Sequence, residues 1–228
     1  MMIEQDAALL ARCELFQGMS LEERKRVAEL CIRRRFRARE VIFNQGEIGR
    51  EMYIVVSGRL RGSATSEEGK ELSFFILQES DLFGELALID GETRSVTVTA
   101  IDSCELLVLR QIDFKTLLKQ NDMIGLRLLS ILAGKIRNTN SLYESSVFIE
   151  IPGRLAGKLL DLAEESGVEM DGGILIDIRL SQYDLGTLIN ASRESVNKQL
   201  KSWEAGKIIE LRSGKIFIRE PDLLEALL

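Results

Sequence analysis

A chain of 228 residues, 45% apolar and 29% charged, has room for one large domain or two ordinary ones and the composition of a folded, soluble protein. Its three cysteines are far apart (Cys13, Cys31, Cys104) and it has no histidine, which argues against a disulfide framework, a zinc or iron–sulfur cluster, histidine-ligated haem and histidine-based hydrolytic triads. No apolar run reaches the ~18 residues of a membrane span and the N-terminus is acidic where a secretion signal is basic, so a cytoplasmic protein is expected; with a net charge of -6, any nucleic-acid surface must be local.

Glu4 to Cys13 reads as a short helix, followed by Leu15 and Phe16 as apolar plugs. Ser20 with Glu23 is a capping-box signature for a helix running to about Cys31. Residues 24 to 39 then carry eight Arg or Lys against one acid, Glu29. Such a run suits nucleic acid or an acidic partner, or else a solvated helix-to-strand edge. With no interleaved aromatic beyond Phe36, the second reading is preferred.

From Val41 to Val108 short apolar runs alternate with glycine turns: Val41–Phe43, Met52–Val56, Leu72–Leu77, Val96–Ala100 and Glu105–Leu109. They predict an antiparallel sandwich or barrel, with a hairpin through Ser66 to Glu71. Within this region Phe83 to Val98, FGELALIDGETRSVTV, combines unlike chemistries. Gly84 admits close approach to the backbone, and Glu85 to Ile89 is a helix-compatible turn whose first N–H groups suit an anion. Glu85 accepts from hydroxyls, Arg94 suits phosphate oxygens, and Ser95 adds a hydroxyl beside it.

Asp113 can cap a long helix to about Phe148. Ile124, Leu128, Ile131, Leu142 and Ile149 fall near a 3.5-residue repeat, interrupted by Lys135, Asn138 and Ser145, so pairing with a second copy along this stripe is expected, with the polar residues setting register or facing a ligand. Ile151-Pro152-Gly153 is read as a break, and a domain boundary is placed there. Arg154 to Glu165 is an amphipathic helix, and Ile174 to Ile178 a strand.

Ser181 caps a helix beginning at Gln182, with Asp184 three residues after the cap; Asn190-Ala191 forms a turn; Ser192 caps a second helix, Arg193 to Glu204. Arg193, Asn197 and Lys201 share one side of it, and Glu194 and Lys198 form the neighbouring stripe. These side chains can read base edges and phosphates. A hairpin through Ser213-Gly214 forms a wing, and residues 193 to 219 hold seven bases against three acids.

Gly84, Glu85, Leu86, Arg94 and Ser95 at this spacing resemble the phosphate-binding cassette of the CRP/FNR family of bacterial transcription regulators, and Ala191 to Val196 resembles that family's recognition-helix opening. The resemblance implies an α+β protein: an N-terminal antiparallel, jelly-roll-like β-roll that binds cyclic nucleotide (1–112), a long dimerisation helix and hinge (113–150), and a C-terminal winged helix-turn-helix (151–228). It implies cyclic AMP, with cyclic GMP as the alternative, as effector; the lack of histidine and of an N-terminal cysteine cluster sets aside the family's haem and iron–sulfur versions, and no metal is expected. Gly84, Glu85, Leu86, Ala87, Arg94 and Ser95 would hold ribose and phosphate. Thr139 and, from a partner copy, Asn140 would close over the base; Asn140 stands where the best-known member has serine.

The same resemblance implies a homodimer joined through Ile124, Leu128, Ile131, Lys135, Asn138 and Leu142. It further implies double-stranded palindromic DNA with TGTGA-like half-sites, read by Ser181, Gln182, Ser192, Arg193, Glu194, Asn197, Lys198 and Lys201, and contact with RNA polymerase. Lys198 replaces the family's arginine and cannot make the same fork. The alternatives are a family regulator answering a redox, gas or other signal, one that binds DNA constitutively, and a nucleotide-acting enzyme; no P-loop, metal cluster or positioned base favours the last.

Overall fold

The computed structural model describes residues 2–66, 68–69, 71–212 and 214–228. Its contacts divide into two units, Met1–Lys70 with Phe74–Arg137, and Glu71–Ser73 with Asn138–Leu228. Among the described residues no helix is long and apolar enough to cross a membrane. The turn positions Glu67, Lys70 and Ser213 lie outside the described residues.

The first unit opens with α1 (Met2–Arg12), a 3-10 turn (Glu14–Phe16) and α2 (Leu21–Leu30). Ser20 Oγ accepts from Glu23 N at 3.3 Å and the Glu23 carboxylate accepts from Ser20 N at 2.7 Å, the reciprocal cap expected. Strands β1 (Ile32–Phe36), β2 (Val41–Phe43), β3 (Glu51–Ser57), β4 (Leu60–Thr65), β5 (Glu71–Leu77), β6 (Leu82–Phe83), β7 (Thr97–Ala100) and β8 (Cys104–Arg110) follow, with the single-turn α3 (Leu86–Ile89) between β6 and β7. They form two sheets, in the orders β1-β8-β3-β6 and β2-β7-β4-β5.

Strand β3 is buried on both faces, which is why it reads as a continuous apolar run. Met52 and Ile54 join the cluster that holds Leu10, Phe16 and Phe114. Tyr53 and Val55 join the opposite cluster with Phe43, Leu60, Phe83 and Val98. Each fully buried Leu, Ile or Phe contributes about 1.5–3 kcal/mol to holding these layers together.

The basic run starts in α2 and continues through the edge strand β1, which no apolar periodicity announces and which carries Arg33, Arg34 and Arg35. Arg33 donates to Asp6 (Nε, 3.1 Å) and Glu105 (2.6 Å), Arg35 to Glu105 (2.9 Å), and Arg34 makes a two-bond fork to Glu51 (2.8 and 2.6 Å). These arginines lace the unit internally, and their charge also guards a sheet edge.

The expected helix from Asp113 to Phe148 is two helices, α4 (Gln111–Gln120) and α5 (Asp122–Phe148). Asn121 between them is extended, and its Oδ1 accepts from Met123 N at 3.1 Å, ending one helix and capping the next.

The second unit contains α6 (Ile151–Ser166), β9 (Gly167–Met170), β10 (Gly173–Ile176), α7 (Gln182–Leu188), α8 (Arg193–Ala205), β11 (Ile209–Arg212), β12 (Lys215–Ile218) and α9 (Pro221–Glu225). Its sheet order is β11-β12-β10-β9. The long helix breaks where expected: α5 ends at Phe148, and Ile151-Pro152-Gly153 opens α6, since proline fits a first turn, whose N–H needs no intrahelical partner. Leu159, Leu185, Val196, Trp203 and Phe217 are buried at its centre.

Each unit holds a carboxylate whose ionised form is favoured by neighbouring arginines. The hydrogen bond from Arg35, then the charge of Arg33, hold Glu105 below its usual value of 4.5. Hydrogen bonds from Arg212 and Arg219 hold Glu210 at about 2. A folded pKa below the unfolded one stabilises the fold at pH above about 4.5, and that contribution is lost as pH falls through the folded value. Thermal melting followed by circular dichroism from about pH 6 to about pH 2 is expected to show a falling midpoint, with a shallower fall in Glu105→Gln and Glu210→Gln.

Candidate ligand pocket and nucleic-acid interface

A pocket in the first unit is lined by Phe43, Phe75, Phe83, Gly84, Glu85, Leu86, Ala87, Arg94, Ser95, Val96, Val98 and Lys135. It gathers all six expected residues between Gly84 and Ser95. Gly84 has φ +80°, the left-handed region that favours glycine, and this turn delivers the chain from β6 into α3. A Cβ on Gly49 would stand 2.7 Å from Arg94 Cζ and from Ala87 Cβ, so the glycine is what lets the guanidinium lie there.

Arg94 is buried and donates from Nη1 to Gly84 O and from Nη2 to Glu51 O, both at 2.7 Å. Its Cζ lies 4.1 Å from the Phe43 ring centroid and 5.7 Å from that of Tyr53. Burial lowers its pKa, and the nearby Tyr53 and Glu51 work against that shift. Tyr53 donates to Glu51 Oε2 at 3.1 Å, and burial pushes its phenol up to about 12.

Glu85, 1% exposed, accepts from Lys135 Nζ at 2.7 Å through Oε1. Lys135 was expected on a dimer seam; it instead reaches the pocket from α5 and neutralises its carboxylate. The polar interruptions of the stripe were read as setting register or facing a ligand, and Lys135 lines the pocket; what the sequence did not show is its partner, Glu85. Glu85 four places before Ile89 gives no hint of a partner fifty residues on. Thr139 and Asn140 stand on α5 beyond Lys135, both exposed, and are not among the pocket's lining residues.

The seam stripe needs correction. Ile124, Leu128 and Ile131 are buried in the first unit's own core with Leu88 and Phe114, so they have no surface left for a second copy. The outward stripe of α5 is Leu126, Leu129, Ala133, Ile136, Asn140, Tyr143 and Val147, spaced alternately three and four, all exposed except the half-buried Ala133. Asn138 and Leu142 are exposed beside it.

In the second unit the two helices stand as read. Ser181 Oγ accepts from Asp184 N (3.1 Å), while Asp184 accepts from Ser181 N (2.9 Å). Ser192 Oγ accepts from Ser195 N (3.1 Å) and starts α8. Arg193, Glu194, Lys198 and Lys201 are exposed on α8, Asn197 is half-buried, and Gln182 is half-buried at the start of α7. Asn190 adopts φ 51° in the turn, and Arg154 Nη1 donates to Ile189 O at 2.7 Å, pinning it from α6. Sequence alone gave Arg154 only as a landmark. Of the seven bases counted over residues 193 to 219, Arg212 and Arg219 bind Glu210 (2.9 and 2.6 Å) and Lys215 binds Asp177. The cations left to face a polyanion are those of α8 and Lys207.

Residues 33–121 match the cyclic nucleotide-binding domain family, and residues 153–227 match the Crp-like helix-turn-helix domain family. The chain is 30% identical over 219 residues to a CRP-like cAMP-activated global transcriptional regulator of Mycobacterium tuberculosis, covering 95% of this chain and 96% of that one. It is 31% identical over 211 residues to the cyclic AMP receptor protein of Thermus thermophilus, covering 92% and 94%. Among solved structures, FixK2 of Bradyrhizobium japonicum shares the fold with a TM-score of 0.78 at 19% identity, covering 86% of this chain and 96% of that one. The helix-turn-helix match and the mycobacterial relative are those of a transcription regulator, not of an enzyme. This chain belongs to the CRP/FNR family of transcription regulators.

Proposed function

We propose that the chain is a cytoplasmic, homodimeric regulator switched by a cyclic nucleotide, with cyclic AMP as the first candidate and cyclic GMP as the second. The observation that carries this reading is the pairing, in one pocket, of a buried cation with unspent donors, Arg94, and a buried acceptor, Glu85. Arg94, Ser95 and the backbone at Gly84, Leu86 and Ala87 would take the cyclic phosphate. Glu85 Oε2, opposite the oxygen bound by Lys135, would take the ribose hydroxyl. Thr139 and the partner's Asn140 would close over the base, using amide and hydroxyl groups that both donate and accept.

The second copy would dock along the exposed stripe of α5. Ala133 and Asn140 fall at seam positions, and a buried asparagine there fixes the register of two helices. Residues Ser181, Gln182, Ser192, Arg193, Glu194, Asn197, Lys198 and Lys201 would face DNA, one α8 per half-site. A palindrome of TGTGA-like half-sites and contact with RNA polymerase complete the reading.

Three measurements test it. Calorimetric titration with cyclic AMP and cyclic GMP, with and without DNA, is expected to show binding that Arg94→Ala weakens by about 2 to 5 kcal/mol. Heat with neither nucleotide would leave a regulator of another signal or a constitutive one. In gel shifts, Arg193→Ala is expected to cost about 1 to 3 kcal/mol of discrimination at one base pair while leaving salt-sensitive background binding in place.

Neighbouring residues of α5 should fail differently. Leu129, 64% exposed, lies on the proposed seam; Leu128, 6% exposed, lies in the core. Leu129→Asp should halve the sedimentation mass and leave the chain folded. Leu128→Ala should leave the mass unchanged and lower stability by about 2 to 5 kcal/mol.

A further inference from the structure

Arg94 is 6% exposed, yet among the described residues no carboxylate pairs with it. Two of its N–H groups go to backbone carbonyls, and its Cζ lies over the Phe43 ring, 4.1 Å from the centroid. Phe43 is itself packed against Tyr53 and Phe83, with centroids at 5.8 and 6.0 Å. The pocket's carboxylate, Glu85, is taken by Lys135. The chemistry of these partners differs in kind. A carboxylate would neutralise the guanidinium and compete with an incoming anion. A carbonyl dipole or a ring face stabilises a desolvated cation and leaves it charged.

We propose that Phe43 is a positioning residue of the pocket. Its ring face keeps Arg94 buried, charged and free of carboxylates, with the remaining N–H edges open to a phosphate. The proposal rests on the reading of the pocket as a cyclic-nucleotide site.

The test is a double-mutant cycle of Phe43→Leu and Arg94→Ala, with Phe43→Tyr as the variant that keeps the ring face. Cyclic AMP affinity is read by calorimetry and stability by urea unfolding. Phe43→Leu keeps an apolar side chain and removes the π face, and is expected to weaken cyclic AMP binding about tenfold. Phe43→Tyr should stay within about twofold of the native chain, because tyrosine presents a comparable face. In the Arg94→Ala background Phe43→Leu should cause no further loss, and in urea it should destabilise less than it does beside a native Arg94.

Unchanged affinity in Phe43→Leu, or losses that simply add, would overturn the proposal. If the native chain binds neither cyclic AMP nor cyclic GMP, or if Arg94→Ala binds as tightly as the native chain, the ligand assignment fails by itself. The urea cycle then still decides whether the ring carries the cation. Phe43→Met replaces Phe43→Leu if the latter does not fold.

Discussion

Burying a positive charge without a negative partner is the constraint around which the first unit is arranged. Desolvation alone makes a buried guanidinium costly, and the usual remedy is an ion pair. Here the remedy is distributed. Gly49 clears the space, the Gly84 turn and the first residue of β3 each aim a carbonyl at one nitrogen, and the Phe43 ring lies under the guanidinium carbon. Glu51 is central to this: its backbone holds Arg94, while its side chain is fixed by Arg34 and Tyr53. The surface ion pairs of β1 thereby reach the pocket through a single residue. A substitution at Arg34 acts on the pocket only by loosening Glu51, so its effect should be far smaller than one at Arg94 itself.

Helix α5 carries two apolar stripes, and that explains how it can serve two neighbours. Ile124, Leu128 and Ile131 belong to the core, whereas Leu126, Leu129 and Ile136 look outward. Lys135, on the inner stripe, bonds to Glu85; Ile136, the next residue, is on the outer one. A ligand that redistributes charge at Glu85 therefore acts on the same helical turn that presents the outer stripe. That adjacency is the physical basis for coupling between nucleotide and partner in the proposed switch, since allostery needs one element whose position both sites bias.

What could be read from the sequence was local. Ser20, Ser181 and Ser192 announce their helices because a cap involves groups three residues apart. Gly84 through Ser95 was legible because several unlike chemistries fall within twelve positions. The failures share a cause: each depends on something distant in the chain. A 3.5-residue repeat finds a stripe but does not say whether the chain's own core or a second copy covers it, so the inner stripe was taken for the seam. The edge strand β1 carries arginines whose partners are Asp6, Glu51 and Glu105. Asn121 ends α4 where the apolar pattern runs on. Phe43 and Lys135 enter the pocket from elements that the motif does not contain.

The charge pattern of the second unit bears on specificity. An acidic chain repels a polyanion at long range, and screening limits that repulsion to about 8–10 Å at ordinary salt. Within the unit, Glu210 engages Arg212 and Arg219, and Asp177 engages Lys215. The wing's cations are thus largely spent on carboxylates, while Arg193, Lys198 and Lys201 stand exposed on one short helix. A surface built this way gives few sequence-independent phosphate contacts, and each such contact contributes about one unit to the salt slope. In the proposed reading its affinity then depends on one helix that carries both the base-facing side chains and most of the exposed cations, with Lys198 and Lys201 remaining when Arg193 is removed. A mispositioned α8 would therefore lose specific and background binding together, which makes the turn pinned by Arg154 and Asn190 as consequential as the residues proposed to face the bases.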